Sequence, residues 1–312
     1  MPLAPLLLAL VLMASAALPA AAQTEVDLAL VLAVDVSYSM DDDEQVLQRE
    51  GFIEAFRSPV VHEAIARGAV GRIGATYVEW AGAGDQKIVV PWRVIDGAEA
   101  ALAFAGELAT HPTRRARFTS ISSALDFSAG LLAESTLFAA RQVIDVSGDG
   151  ANNNGRNVSD ARADALAKGI TINGLPIMLK EPRGYWDIKD LDLYYRDCVI
   201  GGQGAFMVPA REREQFRDAI KAKIILEVAG RPDPGRGPHG GGPGGQGREA
   251  GVRRQVLEEA GVVRAGRPGV RDPADGDDGR VRRGVRAGPA GQRQQAHPGE
   301  EVGRGGFLSP PP

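Results

Sequence analysis

The chain has 312 residues, and its 36 Lys and Arg side chains against 40 Asp and Glu give a formal net charge of −4. The charge is unevenly spread: residues 1–22 carry none, residues 23–230 carry 22 basic and 30 acidic side chains, and residues 231–312 carry 14 and 10. The acidic body excludes non-specific binding to nucleic acid, which needs a basic surface. The single cysteine, Cys198, excludes an intrachain disulfide framework and a cysteine-rich zinc site.

Residues 1–22 have the pattern of a secretory signal peptide. Leu6–Leu12 is an apolar run, the hydrophobic stretch continues to Leu18, and Ala20–Ala22 supply the small residues that precede signal-peptidase cleavage. A transmembrane anchor is the alternative, and the stretch is at the short limit of the roughly 17–25 residues that span a bilayer. We expect cleavage, a mature protein without a transmembrane anchor, and a periplasmic or secreted location.

Strand-like and helix-like segments alternate through residues 23–230. The predicted strands are Val26–Val34, Arg72–Trp80, Lys87–Ile95, Arg141–Ser147, Thr171–Met178 and Ala205–Val208. The predicted helices are Asp43–Phe56, a second short helix that runs to Arg67, Ala98–Ala109, Ser120–Leu132, Val158–Lys168, Asp190–Arg196 and Arg211–Val228. The short link between the second and third strands predicts an antiparallel hairpin at a sheet edge, where Pro91 is tolerated. The alternation predicts one α/β domain with a doubly wound, mainly parallel six-stranded sheet and helices on both faces.

Residues 231–312 have a different composition. They contain 21 Gly and 11 Pro, and every basic residue among them is Arg. Such a segment cannot bury enough apolar surface to offset its chain entropy, so we expect a disordered tail. Two origins stay open: a frameshift in a G/C-rich gene, or a natural linker whose arginines contact an anionic surface.

Oxygen-bearing side chains follow several of the predicted strands. Asp35, Ser37 and Ser39 follow the first strand, Thr119 lies in a polar loop before a helix, and Asp149 follows the fourth strand. The carboxyl ends of the strands form the binding crevice of an open parallel sheet. Two carboxylates and three hydroxyls suit a hard cation such as Mg²⁺ or Mn²⁺. Because three of these five groups are uncharged, the ion would attract an acidic group from a partner.

This pattern resembles the von Willebrand factor A domain and its metal-ion-dependent adhesion site. The family signature is Asp-x-Ser-x-Ser, a distant Thr and a late Asp-Gly, and the five residues match it in order. The resemblance covers about residues 25–229, and residues 34–40, 144–154 and 194–206 resemble a bacterial secreted subgroup of unknown function. The family usually has Thr or Ser directly before the late Asp-Gly, whereas Gly148 here separates Ser147 from Asp149.

The resemblance implies that the five residues hold a divalent cation and that the domain binds a protein or peptide ligand supplying an Asp or Glu. The sequence has no Gly-x-Ser-x-Gly elbow, no His-Glu-x-x-His and no Walker loop, so we expect a protein that is not an enzyme. Two other interpretations stay open, a Mg²⁺-dependent hydrolase and a structural domain with no metal role.

Two neighbouring segments have simpler interpretations than metal binding. Asp41–Glu44 is expected to complement the dipole of the helix that it begins. Asn152–Gly155 is expected to be a polar loop that borders the site. Contact with a ligand is the alternative role for this loop. Asp35–Ser39 itself could be an ordinary turn and helix cap, since Asp and Ser favour both.

Overall fold

A computed structural model describes residues 23–180, 188–230 and 263–264 of the chain. The strands in this part are β1 (Thr24–Val26), β2 (Leu28–Asp35), β3 (Ile73–Trp80), β4 (Gln86–Ile95), β5 (Leu137–Ala139), β6 (Gln142–Gly148), β7 (Thr171–Pro176), β8 (Phe206–Met207) and β9 (Val263–Arg264). β2 is apolar up to Asp35 and is buried along its whole length. Burial on both faces explains its continuous apolar sequence, since a strand with one wet face would alternate.

Seven strands form one sheet in the order β4-β3-β2-β6-β7-β8-β9. β2 pairs in parallel with both β3 and β6, and β7 pairs in parallel with β6 and β8. β4 is an edge strand antiparallel to β3, as predicted. The α/β class and the mainly parallel six-stranded sheet are confirmed, and the two-residue β9 adds a seventh strand antiparallel to β8. The strand order reverses between β2 and β6, so the crevice of this sheet lies at their carboxyl ends.

Helices cover both faces of the sheet, as predicted. They are α1 (Asp42–Arg57), α2 (Pro59–Ala66), α3 (Ala98–Thr110), α4 (Ile121–Glu134), α5 (Val158–Ala167), α6 (Leu191–Tyr194) and α7 (Phe216–Ala229), with a π-helix at Tyr195–Val199 after α6. Alternate residues of β2 enter two separate cores. Leu28, Leu30 and Leu32 pack in the core that contains residues of α1, α2, α3 and α7. Ala29, Val31 and Ala33 pack in the core formed with α4, α5 and the π-helix.

Four elements differ from the prediction. β1 and β5 form a separate two-stranded parallel sheet, which three-residue strands are too short to reveal in a sequence. α7 begins at Phe216 instead of Arg211, because residues 211–215 are all polar, all exposed, and have no apolar side chain to bury. The helix predicted at Asp190–Arg196 is one α-turn that widens into the π-helix.

The predicted signal peptide, residues 1–22, lies outside the described residues, and so does the predicted tail except for residues 263–264. Across residues 23–180 and 188–230, the structure has no helix with the length and apolar character needed to cross a membrane.

A chain that ends at Gly230 should melt at the same temperature as the full chain. The prediction follows because β9 is the only described element beyond Gly230, and it contributes two paired positions to β8. Thermal unfolding followed by circular dichroism measures both proteins. A fall of several degrees in the shorter protein would show that residues after Gly230 stabilise the domain.

Candidate functional site

The five residues singled out in the sequence lie in three loops at the carboxyl ends of β2 and β6. Asp35 is the last residue of β2, and Asp149 directly follows the last residue of β6. The two strands are parallel neighbours in which Val34 pairs with Ser147, so their ends meet at one edge of the sheet. Thr119 belongs to the loop that leads into α4.

A chain of hydrogen bonds joins four of the five residues. The Ser37 amide donates to Asp35 Oδ1 over 2.7 Å. The hydroxyls of Ser37 and Ser39 share a hydrogen bond of 2.8 Å, and Ser39 Oγ donates to Asp149 Oδ1 over 2.6 Å. The alternation of Asp35, Ser37 and Ser39 therefore brings three oxygens together across the two strand ends. Asp35 and Ser37 are fully buried, whereas Ser39 is exposed.

Thr119 is fixed beside these residues by the loop that follows Asp149. The Thr119 amide donates to Asn153 Oδ1 and the Asn153 amide donates to the Thr119 carbonyl, each over 2.8 Å. Thr119 Oγ1 lies 3.7 Å from the position that a Cβ at Gly150 would occupy. The structure thus places Thr119 next to the Asp149-Gly150 turn, although its hydroxyl does not join the hydrogen-bond chain within the described residues.

The two carboxylates lie close together, with Asp35 fully buried and Asp149 half-buried. Asp35 Oδ2 is buried and has no hydrogen-bond partner among the described residues. Burial raises the pKa of Asp35 well above its usual range, and the Asp149 carboxylate raises it further. The pKa of Asp149 is raised to about 6, mainly by burial and also by Glu44, against the hydrogen bond from Ser39. Such a pair favours either a proton or a bound cation.

Three hydroxyls supplement the two carboxylates as oxygen donors. No three His, Cys, Asp or Glu side chains converge on one point in the part of the chain that the structure describes. The five side chains predicted as ligands offer only oxygen atoms, and three of these oxygens are the hydroxyls of Ser37, Ser39 and Thr119. Hydroxyl and carboxylate oxygens suit Mg²⁺ or Mn²⁺ better than the softer transition metals.

Gly148 stands where the von Willebrand factor A signature usually has Thr or Ser, and the structure gives a steric reason for the glycine. A Cβ at position 148 would lie 2.8 Å from Asp35 Oδ2 and 3.0 Å from the Tyr195 hydroxyl. Tyr195 is fully buried and its hydroxyl lies 3.5 Å from the Gly148 carbonyl oxygen. The neighbouring Ser147 accepts a hydrogen bond of 2.8 Å from Gln48 Nε2, so its hydroxyl is engaged away from the site. Sequence reasoning missed Tyr195, because only the π-helix brings it against β6.

The asparagines after Gly150 connect the loops around the site. Asn152 Oδ1 accepts from the Ser122 amide over 2.9 Å, and Asn154 Oδ1 accepts from the Ala83 amide over 2.7 Å. With Asn153 on Thr119, three consecutive amide side chains bind the loop at Ala83, the loop at Thr119 and the first turn of α4 at Ser122. The prediction of a polar loop bordering the site is confirmed, but these side chains have a positioning role that the sequence did not indicate.

The acidic run before α1 is part of a helix cap. Asp41 Oδ1 accepts from the Glu44 amide over 2.9 Å, and Glu44 Oε2 accepts from the Asp41 amide over 3.0 Å. Lys180 pairs with both carboxylates and donates to the Ser39 carbonyl over 3.0 Å. The prediction that this run belongs to the helix start is confirmed.

Comparisons with known proteins find one matching family model and several solved structures of low sequence identity. Residues 25–232 match a family model described as "Protein of unknown function (DUF1194)". No curated protein sequence matches the chain. Similar solved structures include the pilus adhesin SpaC from Lactobacillus rhamnosus GG (14% identity, TM-score 0.48), proximal thread matrix protein 1 from the mussel byssus with a zinc-occupied MIDAS motif (13%, 0.46) and a von Willebrand factor type A protein from Catenulispora acidiphila (13%, 0.42).

The similarity to these structures covers 64%, 66% and 65% of this chain but 31%, 49% and 43% of theirs. The chain thus spans less than half the length of each. The mainly parallel sheet with helices on both faces agrees with the doubly wound α/β fold predicted from the sequence. The family description also confirms the predicted relation to a group of unknown function. Since the family model matches well over half of the 312 residues, the chain belongs to the DUF1194 family.

Proposed function

We propose that this domain binds a protein or peptide ligand through a divalent cation held by Asp35, Ser37, Ser39, Thr119 and Asp149. The observation that carries the proposal is the fully buried carboxylate of Asp35, whose Oδ2 has no partner among the described residues and whose pKa is raised by burial and by the neighbouring Asp149. A group of this kind is stable in its charged form only with a counter-charge. The cation would be Mg²⁺ or Mn²⁺, because every donor is an oxygen.

A bound cation would supply a Lewis-acidic position at the crevice that accepts a carboxylate oxygen of a partner. The chain's own residues prepare this position. Hydrogen bonding through Ser37 and Ser39 orients the two carboxylates, and Asn153 holds Thr119 against Gly150. Ser39 is exposed at the mouth of the crevice, so the site opens toward solvent. The partner that fits is one presenting an Asp or Glu.

We propose a binding role in preference to the hydrolase alternative. A phosphate-transferring site needs a cationic side chain for the phosphate. The ammonium of Lys180 lies beside Ser39 but is bound by Glu44 and Asp41, and the guanidinium groups of Arg115 and Arg117 lie over aromatic rings. Turnover of a generic phosphomonoester that stops on chelation would favour the hydrolase. The proposed location is periplasmic or secreted, on the pattern of residues 1–22.

Mg²⁺ or Mn²⁺ should raise the melting temperature of the protein, and Asp149→Ala should abolish the rise. A ligand that binds only the native state adds about 2.7 kcal/mol at a hundredfold excess over its dissociation constant. Scanning calorimetry with and without metal measures the effect. Asp43→Ala is the matched control, because Asp43 is an exposed carboxylate of the nearby helix cap outside the donor set. Equal metal responses of wild type and Asp149→Ala would contradict the site.

Ser37→Ala should weaken Mg²⁺ binding roughly tenfold, about 1.4 kcal/mol, without unfolding the domain. The substitution removes one donor oxygen whose hydrogen bond is to Ser39, and it leaves no void larger than a hydroxyl. Ser37 is 1% exposed, so the melting temperature without metal is a necessary second measurement. Unchanged Mg²⁺ affinity by calorimetric titration would exclude the Ser37 hydroxyl as a donor.

A further inference from the structure

Two large aromatic side chains are exposed beside the five donor residues. Tyr38 is 57% exposed and lies between Ser37 and Ser39 in the chain. Phe118 is 55% exposed and directly precedes Thr119. A single exposed ring is common on a protein surface, but two rings at the mouth of one crevice are typical of an interaction site. Both rings therefore point to an interaction at the mouth of the crevice.

The backbone of Phe118 strengthens this inference. Phe118 is the only non-glycine residue in the described part of the chain with a positive φ, at 68°. A Cβ at position 82 would lie 2.8 Å from the Arg117 carbonyl oxygen, so the close approach of Gly82 fixes the path of this loop. Glycine at position 118 would adopt this positive φ with less strain than phenylalanine does. An exposed aromatic side chain at a strained position adds little to folding, which indicates a function for the ring.

Two arginines accompany the two rings. The Arg115 guanidinium lies 5.4 Å from the centre of the Tyr38 ring, and the Arg117 guanidinium lies 5.6 Å from that of Phe118. The Ala116 amide donates to the Val36 carbonyl over 2.9 Å, and Arg115 Nη2 donates to the Tyr38 carbonyl over 2.8 Å. These contacts join the loops after β2 and before α4 into one surface. We call Tyr38, Arg115, Arg117 and Phe118 the aromatic rim.

The charge of the aromatic rim selects the kind of partner. Residues 23–230 carry 22 basic and 30 acidic side chains, so two arginines at one crevice are a local exception. Arg115 pairs with Asp42 over 3.3 Å, whereas no carboxylate pairs with Arg117 in the part of the chain that is described. Aromatic and arginine side chains are also the residue types that contribute most to protein interfaces.

From this arrangement we infer that the aromatic rim binds an acidic segment of a protein partner. In that segment, an apolar side chain lies next to the Asp or Glu whose carboxylate binds the cation. The inference rests on the proposed function and extends it, because it names the sequence around the acidic residue. The apolar side chain packs on Tyr38 and Phe118, and a second acidic residue pairs with Arg117.

A peptide array tests the inference with a defined probe. It presents heptapeptides with Asp at the centre and mixed residues on both sides, next to a matched array with Asn at the centre. In Mg²⁺ the purified protein should retain central-Asp peptides that carry aromatic or large aliphatic neighbours and a second acid. Phe118→Gly and Tyr38→Ala should weaken binding of the selected peptides at least tenfold, and Arg117→Gln should abolish the preference for the second acid.

The variants include a fold control and a matched surface control. Phe118→Gly relieves the positive φ, so its melting temperature should not fall below that of the wild type. Phe138→Ala removes another exposed ring, which is 61% exposed on β5, and should leave peptide binding unchanged.

The outcomes separate this inference from the proposed function. If Mg²⁺ raises the melting temperature but the rim variants bind peptides like the wild type, the rim inference is wrong and the metal site stands. Failure to retain any central-Asp peptide in Mg²⁺, or a preference for basic neighbours, would overturn the inference as well. A wild-type dimer in sedimentation that Phe118→Gly dissociates would identify a second copy as the occupant and also overturn it. If metal does not change the melting temperature, the proposed function is wrong, and the inference about the aromatic rim is wrong with it.

Discussion

Replacing Lys223 by methionine should destabilise the domain by about 3–5 kcal/mol, the cost typical of breaking a buried ion pair from one side. Lys223 is 1% exposed on α7, and its ammonium lies 2.5 Å from Asp145 Oδ1 and 2.7 Å from Glu227 Oε1. Asp145 lies on β6, in the middle of the sheet. Without Lys223, two carboxylates would remain buried with no cation between them, although methionine fills a similar volume.

We call Lys223, Asp145 and Glu227 the buried cluster. Other contacts show that the buried cluster connects α7 to the sheet. Asn173 Nδ2 donates to Glu227 Oε2 over 2.6 Å, and Asn173 Oδ1 accepts from the Phe206 amide over 2.9 Å. The Lys223 ammonium also lies 5.1 Å from the centre of the Phe206 ring. Loss of the ammonium therefore affects residues of β6, β7, β8 and α7 together.

Urea unfolding of the two proteins measures the difference. Lys221→Met is the matched control, because Lys221 is on the same helix, is 42% exposed and pairs with Asp218 at the surface. An exposed pair of this kind contributes about 0–1 kcal/mol, so the control should stay close to the wild type. If Lys223→Met were as stable as Lys221→Met, the buried cluster would have no part in holding α7.

Much of the fold could be predicted because its signals are local. The apolar run of β2, the hairpin of β3 and β4 and the alternation of strands with helices depend on neighbouring residues. The positions of Asp35 and Asp149 followed from one rule, that loops at the carboxyl ends of parallel strands meet. The structure places these two carboxylates together as that rule requires.

Features that depend on distant contacts could not be predicted. Lysine is almost never fully buried, so the amphipathic pattern of α7 gave no reason to place Lys223 in the core. Tyr195 reaches Gly148 only because the helix around it is a π-helix, whose extra residue changes which side chains face the sheet. The roles of Asn152–Asn154 depend on three loops that are far apart in the sequence.

The buried cluster also predicts how stability varies with pH. Burial raises the pKa of Asp145 to about 6, Lys223 opposes the rise and the Glu227 carboxylate adds to it. Neither oxygen of Asp145 accepts a hydrogen bond of normal geometry from the described residues, in spite of the short distance to Lys223. The folded protein therefore holds a proton on Asp145 more tightly than the unfolded chain does.

The sign of the effect follows from this difference in proton binding. Between about pH 4 and pH 6 the unfolded chain has released the proton and the folded protein has not, so this contribution to stability falls as the pH rises. A pKa shift of about two units corresponds to about 3 kcal/mol. Asp145→Asn keeps the shape of the neutral acid and cannot ionise. The stability of Asp145→Asn relative to the wild type should therefore increase by about 2 kcal/mol between pH 4 and pH 7, as measured by urea unfolding at each pH. Titrations of groups that do not interact with Asp145 cancel in this difference. Two stability curves that stay parallel across the range would mean that Asp145 is ionised throughout and that Lys223 fully offsets its burial.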